Sequence, residues 1–316
     1  MKKIVVVGGG SGIFNVLKGL KNYPVTLTAV VTSFDNGGST GVLRDEFGML
    51  PPGDIRRALI ALAPETGDST LRELFTYRFE RESSLCGHSF GNLFLQALCS
   101  ITGSDIGAIK KAGEILGIKG TALPVSLDDA QVCAELMNGK IIKGETNIDI
   151  PKHDGALKIK KIYLEPRATI YNEAYQAIVA ADLVVLGPGD LYTSLLPNVL
   201  VEGFTDALKK SHAKVVFVTN LMTKWGETND FAASDFSRVA LLYLQRKKFD
   251  YVICNSSPLR VALIKKYAGE HASPVRIDTA ALKKYATHVV LADVASQSDV
   301  LRHDSKKLSR AILDIR

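Results

Sequence analysis

Cysteine is scarce. The four in 316 residues, Cys86, Cys99, Cys133 and Cys254, form no Cys-x-x-Cys pair and show no metal-ligand spacing. That excludes a disulfide framework and a zinc cluster, and leaves reduced, mostly buried thiols of a cytoplasmic protein. No apolar run reaches the roughly 18 residues that cross a bilayer, so no membrane partner is expected. Lysine and arginine exceed the acids by enough for a formal net charge of +6, yet they never gather into a tail. Nor do aromatics alternate with them as on a single-strand-binding surface, so nucleic acid is not an expected partner. The phosphate-loop pattern Gly-x-x-x-x-Gly-Lys-Ser/Thr is missing, and with it the lysine of such ATPases. Internal repeats, low-complexity tracts, long linkers and coiled coils are also lacking. An apolar strand pattern opens at Lys3, so no signal or transit peptide is expected.

What the chain does have is glycine at the ends of strands. Lys3-Ile4-Val5-Val6-Val7 is a β-branched run suited to a buried parallel strand, and it enters Gly8-Gly9-Gly10-Ser11-Gly12. Ile13, Val16, Leu17 and Leu20 then recur at helical spacing. The glycines therefore sit at a strand-to-helix turn, where free N–H groups and the helix dipole favour an anion. A second strand, Leu27 to Thr32, leads into Asp35-Asn36-Gly37-Gly38-Ser39-Thr40-Gly41. Arg44 and Leu50-Pro51-Pro52-Gly53-Asp54-Ile55-Arg56 follow. These turns are expected to form one phosphate-bearing site.

Ile55, Leu59 and Leu62 mark a helix with Asp54 placed as its N-cap. Leu71, Leu74, Phe75 and Phe79 suggest another, and Leu93 to Leu98 and Ile106 to Leu116 two more. From Ala122 to Glu165 short alternating runs are broken by Asn138-Gly139 and Asp154-Gly155, which are hairpin signals. This reads as a small antiparallel insertion, at about 122–165, in a single domain spanning 1–316. Apolar strands then return at Leu183–Leu186, Val215–Val218, Tyr251–Cys254 and Val289–Ala292, with helical patterns between them. The expected fold is α/β: a Rossmann-like, doubly wound, mostly parallel sheet in three layers, binding its ligand beyond the carboxyl ends of the strands.

A dinucleotide fingerprint is only partly met. Gly8 and Gly10 fit Gly-x-Gly-x-x-Gly, but Ile13 stands third. Asp35 and Asp54 could hold Mg²⁺ beside phosphate; equally, Asp54 could cap its helix and Asp35 close a turn. Arg44 and Arg56 offer forked donors for phosphate. His88, in Gly-His-Ser-Phe-Gly-Asn with Asn92, could donate to phosphate, serve as an acid–base group, or simply bond a backbone carbonyl. After the third apolar strand, Gly187, Gly189, Tyr192, Thr193, Ser194 and Asn198 suit hydroxyl-rich ligands. No base stands beside Ser194, so it is not read as a nucleophile. Asn220, Thr223 and Glu227 are expected to orient ribose or sugar hydroxyls, unless Glu227 begins a helix. His303-Asp304 reads as surface.

Six motifs in order carry a family likeness. They are Gly8–Gly12; Asp35–Gly41 with Leu43-Arg44; Pro51–Arg56; Gly87–Asn92; Gly187–Gly189 with Tyr192–Ser194 and Pro197-Asn198; and Thr219–Thr223 with Gly226–Thr228. The set resembles the YvcK-like gluconeogenesis factors, relatives of the CofD-like 2-phospho-L-lactate transferases. The resemblance implies a cytoplasmic regulator that binds a nucleotide sugar such as UDP-N-acetylglucosamine. Gly9, Gly10, Ser11, Gly12, Gly37, Gly38 and Ser39 would hold the diphosphate, with Arg44 or Arg56 closing over it. It also implies a link between gluconeogenic growth, envelope synthesis and cell shape, and a protein partner in envelope synthesis, with ligand binding favoured over catalysis; the alternative is a transferase moving a phosphate-containing group from a nucleotide diphosphate. There Asp35 and Asp54 would hold Mg²⁺ and His88 assist proton transfer. The usual aspartate pair before Gly-Gly stands here as Asp35-Asn36, which weakens metal-assisted transfer and leaves binding intact. A homo-oligomer is compatible with this reading.

Overall fold

The computed structural model describes residues 1–65, 69–80, 84–298 and 300–315. Its strands are Lys2–Gly8 (β1), Val25–Val31 (β2), Thr121–Pro124 (β3), Gln131–Leu136 (β4), Ile141–Lys143 (β5), Ile159–Glu165 (β6), Leu183–Leu186 (β7), Lys214–Val218 (β8), Phe249–Asn255 (β9), Ala286–Ala292 (β10), Ala295–Gln297 (β11) and Leu301–His303 (β12). Seven of them form one sheet in the order β10-β9-β8-β7-β1-β2-β3, every neighbouring pair parallel. β5-β4-β6 make a separate antiparallel sheet, and β11-β12 a hairpin.

Strand periodicity divides the core in two. Ile4 and Val6 face one side of the sheet, and Val5 and Val7 the other. The first side is covered by Gly10–Leu20 (α1), Pro52–Leu62 (α3), Phe90–Thr102 (α5) and Asp105–Leu116 (α6), together with the helix Ser305–Leu313. Gly38–Phe47 (α2) and Thr70–Thr76 (α4) complete this helical half. The second side is covered by helices Asn172–Val179, Phe204–Lys210 and Ala233–Leu244 and by the buried face of the small sheet, Val132, Ala134 and Leu136 among others. This is the three-layer, doubly wound arrangement expected.

Three boundaries differ from expectation. Thr121–Pro124 belongs to the parallel sheet, where it pairs with β2, so the antiparallel region begins at Gln131. α4 stops at Thr76: the Tyr77 carbonyl accepts from Phe90 N and Phe79 N donates to the His88 carbonyl, which pulls Phe79 out of the helix. Asp54 is not an N-cap. α3 starts at Pro52, whose fixed φ suits the first helical position, so Asp54 lies inside the first turn.

Phe217 and Phe249 stack at 5.0 Å between ring centroids under the second layer, and both are fully buried. Phe217→Ala is expected to lower the unfolding free energy by about 3–5 kcal/mol, read from the midpoint of urea unfolding.

Candidate functional site

β1 and β7 are neighbours, but the chain leaves them in opposite directions, toward β2 and β3 on one side and β8 to β10 on the other. A crevice opens at such a switch point, outside the carboxyl ends of the strands. The first glycine turn lies there. Gly10 adopts φ +65°, and α1 begins at it with no side-chain cap. Gly12 is required by close approach, because a Cβ there would stand 2.1 Å from the Pro188 carbonyl oxygen. The Asn220 side chain clasps Gly189, donating to its carbonyl (2.9 Å) and accepting from its N–H (3.4 Å).

Between these loops is a cleft of about 180 Å³, lined by Gly9, Gly10, Ser11, Gly12, Gly189 and Ser194 and, across from them, by Tyr267, Arg302 and His303. Asn220 and Leu221 also line a neighbouring cavity of about 390 Å³, whose walls include Cys254, Asn255, Pro258, Pro274 and Ile277. The two together offer a polar, amide-lined compartment beside a larger, more apolar one.

The second glycine turn opens α2. Gly37 N donates to Asp35 Oδ1 at 2.8 Å, and Gly38, at φ +46°, has open space beside it. Behind this turn runs a chain of side chains: Arg56 Nε donates to Asn92 Oδ1 (2.9 Å), Asn92 Nδ2 to Ser39 Oγ (3.2 Å), and Ser39 Oγ meets His88 Nδ1 (3.0 Å). Arg56 Nη1 also donates to the Phe75 carbonyl at 2.9 Å. The buried Arg56 thus locks α3 to α4 and α5, and its Nε and Nη1 are taken by protein acceptors. Arg44 lies against Asp45.

Carboxylates join the two turns. Asp54 Oδ1 accepts from Gly10 N at 2.9 Å and from Arg57 Nη1 at 3.2 Å. Burial, and then the nearby charge of Asp35, push Asp54 up to about 6 against the pull of Arg57. Burial also raises Asp35. The insertion adds Glu145 and Asp149 from the short helix Glu145–Asp149 (α7). Asn36 Oδ1 holds α7 over the turn by accepting from Thr146 N at 3.0 Å. Glu145 is pushed up to about 9, by burial and then by the charges of Asp35, Asp149 and Asp54. Farther along, Lys224 Nζ contacts Asp149, Asp190 (2.9 Å) and Glu227 (3.2 Å). Burial alone would lower Lys224, but those three carboxylates hold it above its ordinary value.

These contacts reassign several expected ligand groups. Glu227 is buried and accepts from Tyr192 N and Thr193 Oγ1, both at 3.1 Å, so it braces the 191–195 turn. Thr223 is buried against Ser273. Asn198, fully buried, donates to the Gly8, Ser194 and Leu195 carbonyls and fastens the end of β1. Ser194, Asn220, Gly187 and Gly189 remain at the cleft or in the loop that forms it.

Sequence reasoning passed over Glu145, Asp149, Asp190, Lys224, Tyr267 and Arg302, and read His303 as surface, whereas it is buried. Their distance along the chain hides the convergence, although Asp190 lies in the loop that follows β7, as Asp35 lies in the loop that follows β2. For a divalent cation, Asp149, Asp190 and Glu227 bring ligand atoms within 4.8 Å of one another. The Lys224 ammonium stands among them, so that set as it stands does not fit a metal. Asp35 and Asp54 each give Oδ1 to a backbone N–H, and Arg57 meets that same Asp54 oxygen, so the second oxygens of the pair are the ligands that would hold Mg²⁺.

Glu145 keeps its proton in the folded state up to about 9, whereas the unfolded chain loses it near the ordinary value of 4.5. Its burial therefore lowers stability as pH rises through that window. Glu145→Gln is expected to raise the unfolding free energy by roughly 1–3 kcal/mol near pH 8 and to change little near pH 4, read by urea unfolding at each pH.

Comparisons with known proteins show the family and the fold. Residues 4–295 match the family described as 2-phospho-L-lactate transferase CofD. The gluconeogenesis factor of Halalkalibacterium halodurans is 41% identical over 99% of this chain and 96% of its own length. That of Bacillus subtilis is 36% identical over 99% of this chain and 98% of its own. The crystal structure of a UPF0052-family protein from Bacillus halodurans superposes with a TM-score of 0.93 at 38% identity, covering 99% of this chain and all (100%) of that one. With the glycine turns, the switch-point cleft and these relatives in agreement, the chain belongs to the CofD-like family, in its gluconeogenesis-factor branch.

Proposed function

We infer that the protein is a cytoplasmic regulator that binds a nucleotide sugar of the UDP-N-acetylglucosamine kind and couples gluconeogenic carbon supply to envelope synthesis and cell shape. The observation that carries this reading is the switch-point cleft. The N-cap residue of α1, Gly9, offers no side chain of its own, glycine loops approach that end from two sides, Arg302 supplies a cation, and a second cavity adjoins it. Asp54 takes the Gly10 N–H, so the diphosphate lies over Ser11 and Gly12, on the side of Arg302. The base enters the larger cavity. Relatives named for gluconeogenesis support the physiological half of the reading. A partner in envelope synthesis would read the bound state.

One observation favours a second reading, a Mg²⁺-dependent transferase of a phosphate-containing group. Asp35, Asp54, Glu145 and Asp149 crowd one another beside the glycine turns, and burial with mutual repulsion raises the pKa values of the first three. A divalent cation would relieve that crowding as it brought a diphosphate in.

One experiment separates the two. With UDP-N-acetylglucosamine at ~100-fold its Kd, the regulator gains roughly 2.7 kcal/mol of stability, seen as a rise in Tm, and consumes no ligand with or without Mg²⁺. Turnover of a nucleotide diphosphate donor in Mg²⁺ would favour the transferase. An unmoved Tm with every nucleotide diphosphate would end the receptor reading.

A further inference from the structure

The large sheet has two ends, and the cleft takes up one of them. Because its neighbouring strands are all parallel, their carboxyl ends carry the cleft and their amino ends lie together on the opposite edge. At β8, β9 and β10 that opposite edge is rich in lysine. The helix Phe204–Lys210 ends in Lys209 and Lys210, and Lys214 opens β8. Arg246, Lys247 and Lys248 lead into β9, and Lys283 and Lys284 lead toward β10. Register sets these segments side by side: β9 meets β8 at Tyr251 and Val216, and meets β10 at Phe249 and Ala286. Neighbouring strands lie about 4.8 Å apart, so the lysines share one strip. Side-chain contacts join its parts. Lys209 Nζ donates to Gln245 Oε1 at 3.5 Å, and Lys248 Nζ to the Lys283 carbonyl at 3.0 Å.

Little of this charge is neutralised. Asp206 meets Lys209 at 3.6 Å, and Asp250 meets Arg246 at 3.4 Å. Lys210, Lys214, Lys247, Lys248, Lys283 and Lys284 are exposed and form no ion pair among the described residues. The strip thus holds a charge comparable to the formal +6 of the whole chain. Like charges gathered in this way repel one another until a negative surface meets them.

The make-up of the strip narrows the partner. Nucleic acid is gripped by guanidinium forks and stacking aromatics, whereas the arginine here, Arg246, is held by Asp250. Protein interfaces are built around apolar and aromatic anchors and are poor in lysine. None of the large apolar side chains exposed on the described residues falls in 204–214, 245–250 or 279–286. Lysines spread along a sheet edge without anchors suit a diffuse negative plane, such as acidic phospholipid headgroups.

We propose that the amino-end edge of β8, β9 and β10 docks the protein on an anionic phospholipid surface, with the cleft at the far end of the sheet facing away from it. Such a contact needs no spanning segment, and no helix among the described residues is long and apolar enough to be one. The proposal revises the expectation of no membrane partner, which rested on the lack of a spanning run. It stands whether or not the cleft takes a nucleotide.

The test is co-sedimentation of the full chain with vesicles of phosphatidylcholine, alone or with about one-third phosphatidylglycerol. Wild type should bind the mixed vesicles in about 0.1 M salt, leave them in about 1 M, where the Debye length falls to about 3 Å, and ignore pure phosphatidylcholine. Lys210→Gln, Lys247→Gln and Lys284→Gln together should weaken binding about 100-fold, roughly fivefold for each lysine. Lys140→Gln, Lys152→Gln and Lys158→Gln together remove the same charge from the exposed insertion and should change binding by less than about twofold. Equal losses in the two triple variants would overturn the proposal, because net charge and not this edge would then be responsible. So would binding to neutral vesicles as strong as to anionic ones, or no binding to either. Retention of a duplex oligonucleotide or of polyglutamate without vesicle binding would overturn it as well and give the strip to that class of partner. The wild-type lipid and salt measurements decide the matter even where a variant fails to fold. The single tryptophan, Trp225, lies beyond the carboxyl end of β8, so brominated lipid should leave its fluorescence unchanged. Quenching of Trp225 would overturn the orientation.

Discussion

The amino end of α1 is an anion site, and a buried carboxylate of the protein's own already occupies its first amide. Asp54 accepts from Gly10 N, and Gly9 has no room for a side chain because a Cβ would lie 2.5 Å from the other Asp54 oxygen. Much of the site's shape follows from this contact. It neutralises the part of the helix dipole nearest the acidic cluster and leaves the remaining part facing Arg302. It also fixes α3 against α1 at the one place where the two glycine turns meet, since Gly53, the residue before Asp54, packs on Asp35 and Thr40. A single carboxylate thus separates a phosphate-friendly side of the crevice from a cation-friendly side.

That division explains why two functional readings persist in one family fold. On one side are helix amides, a cation and an adjoining cavity, which suit binding without chemistry. On the other are carboxylates held close together at a cost in stability, the kind of arrangement maintained for a ligand rather than for packing. Lys224 compensates for only part of this charge. It meets Asp149, Asp190 and Glu227 and offsets Glu145 only weakly, while Arg57 offsets Asp54 and Asp35.

Six of the seven parallel strands were legible because each holds an apolar β-branched run closed by glycine or a polar loop; Thr121–Pro124, a short edge strand without such a run, was not. The glycine turns were legible for the same reason. Residues whose meaning depends on burial were not. Arg56 and Glu227 look like ligand groups in sequence, yet each is consumed by neighbours that local spacing cannot reveal: Phe75 and Asn92 for the first, Tyr192 and Thr193 for the second. Glu145 and Asp149 were hidden because they arrive on an insertion, and a five-residue helix gives no periodicity to read. His303 sits in a three-residue strand whose inward face is set by packing against the first layer, not by any pattern in the chain.

Asn36 shows how substitution and electrostatics fit together. Its side-chain oxygen accepts the Thr146 N–H that starts α7, and this bond brings Glu145 and Asp149 over the second glycine turn. An aspartate could accept the same bond. It would also place another negative charge beside Asp35 and next to a Glu145 already pushed up to about 9. Asparagine keeps the acceptor and omits the charge, and its amide group fills the space beside Gly144, where a Cβ would stand 2.4 Å from Asn36 Nδ2. The insertion can therefore close onto the turn without a cation to neutralise a second carboxylate. On this argument Asn36 favours a chain that holds its site assembled while it waits for ligand, which is the behaviour a receptor needs more than a metal-dependent catalyst does.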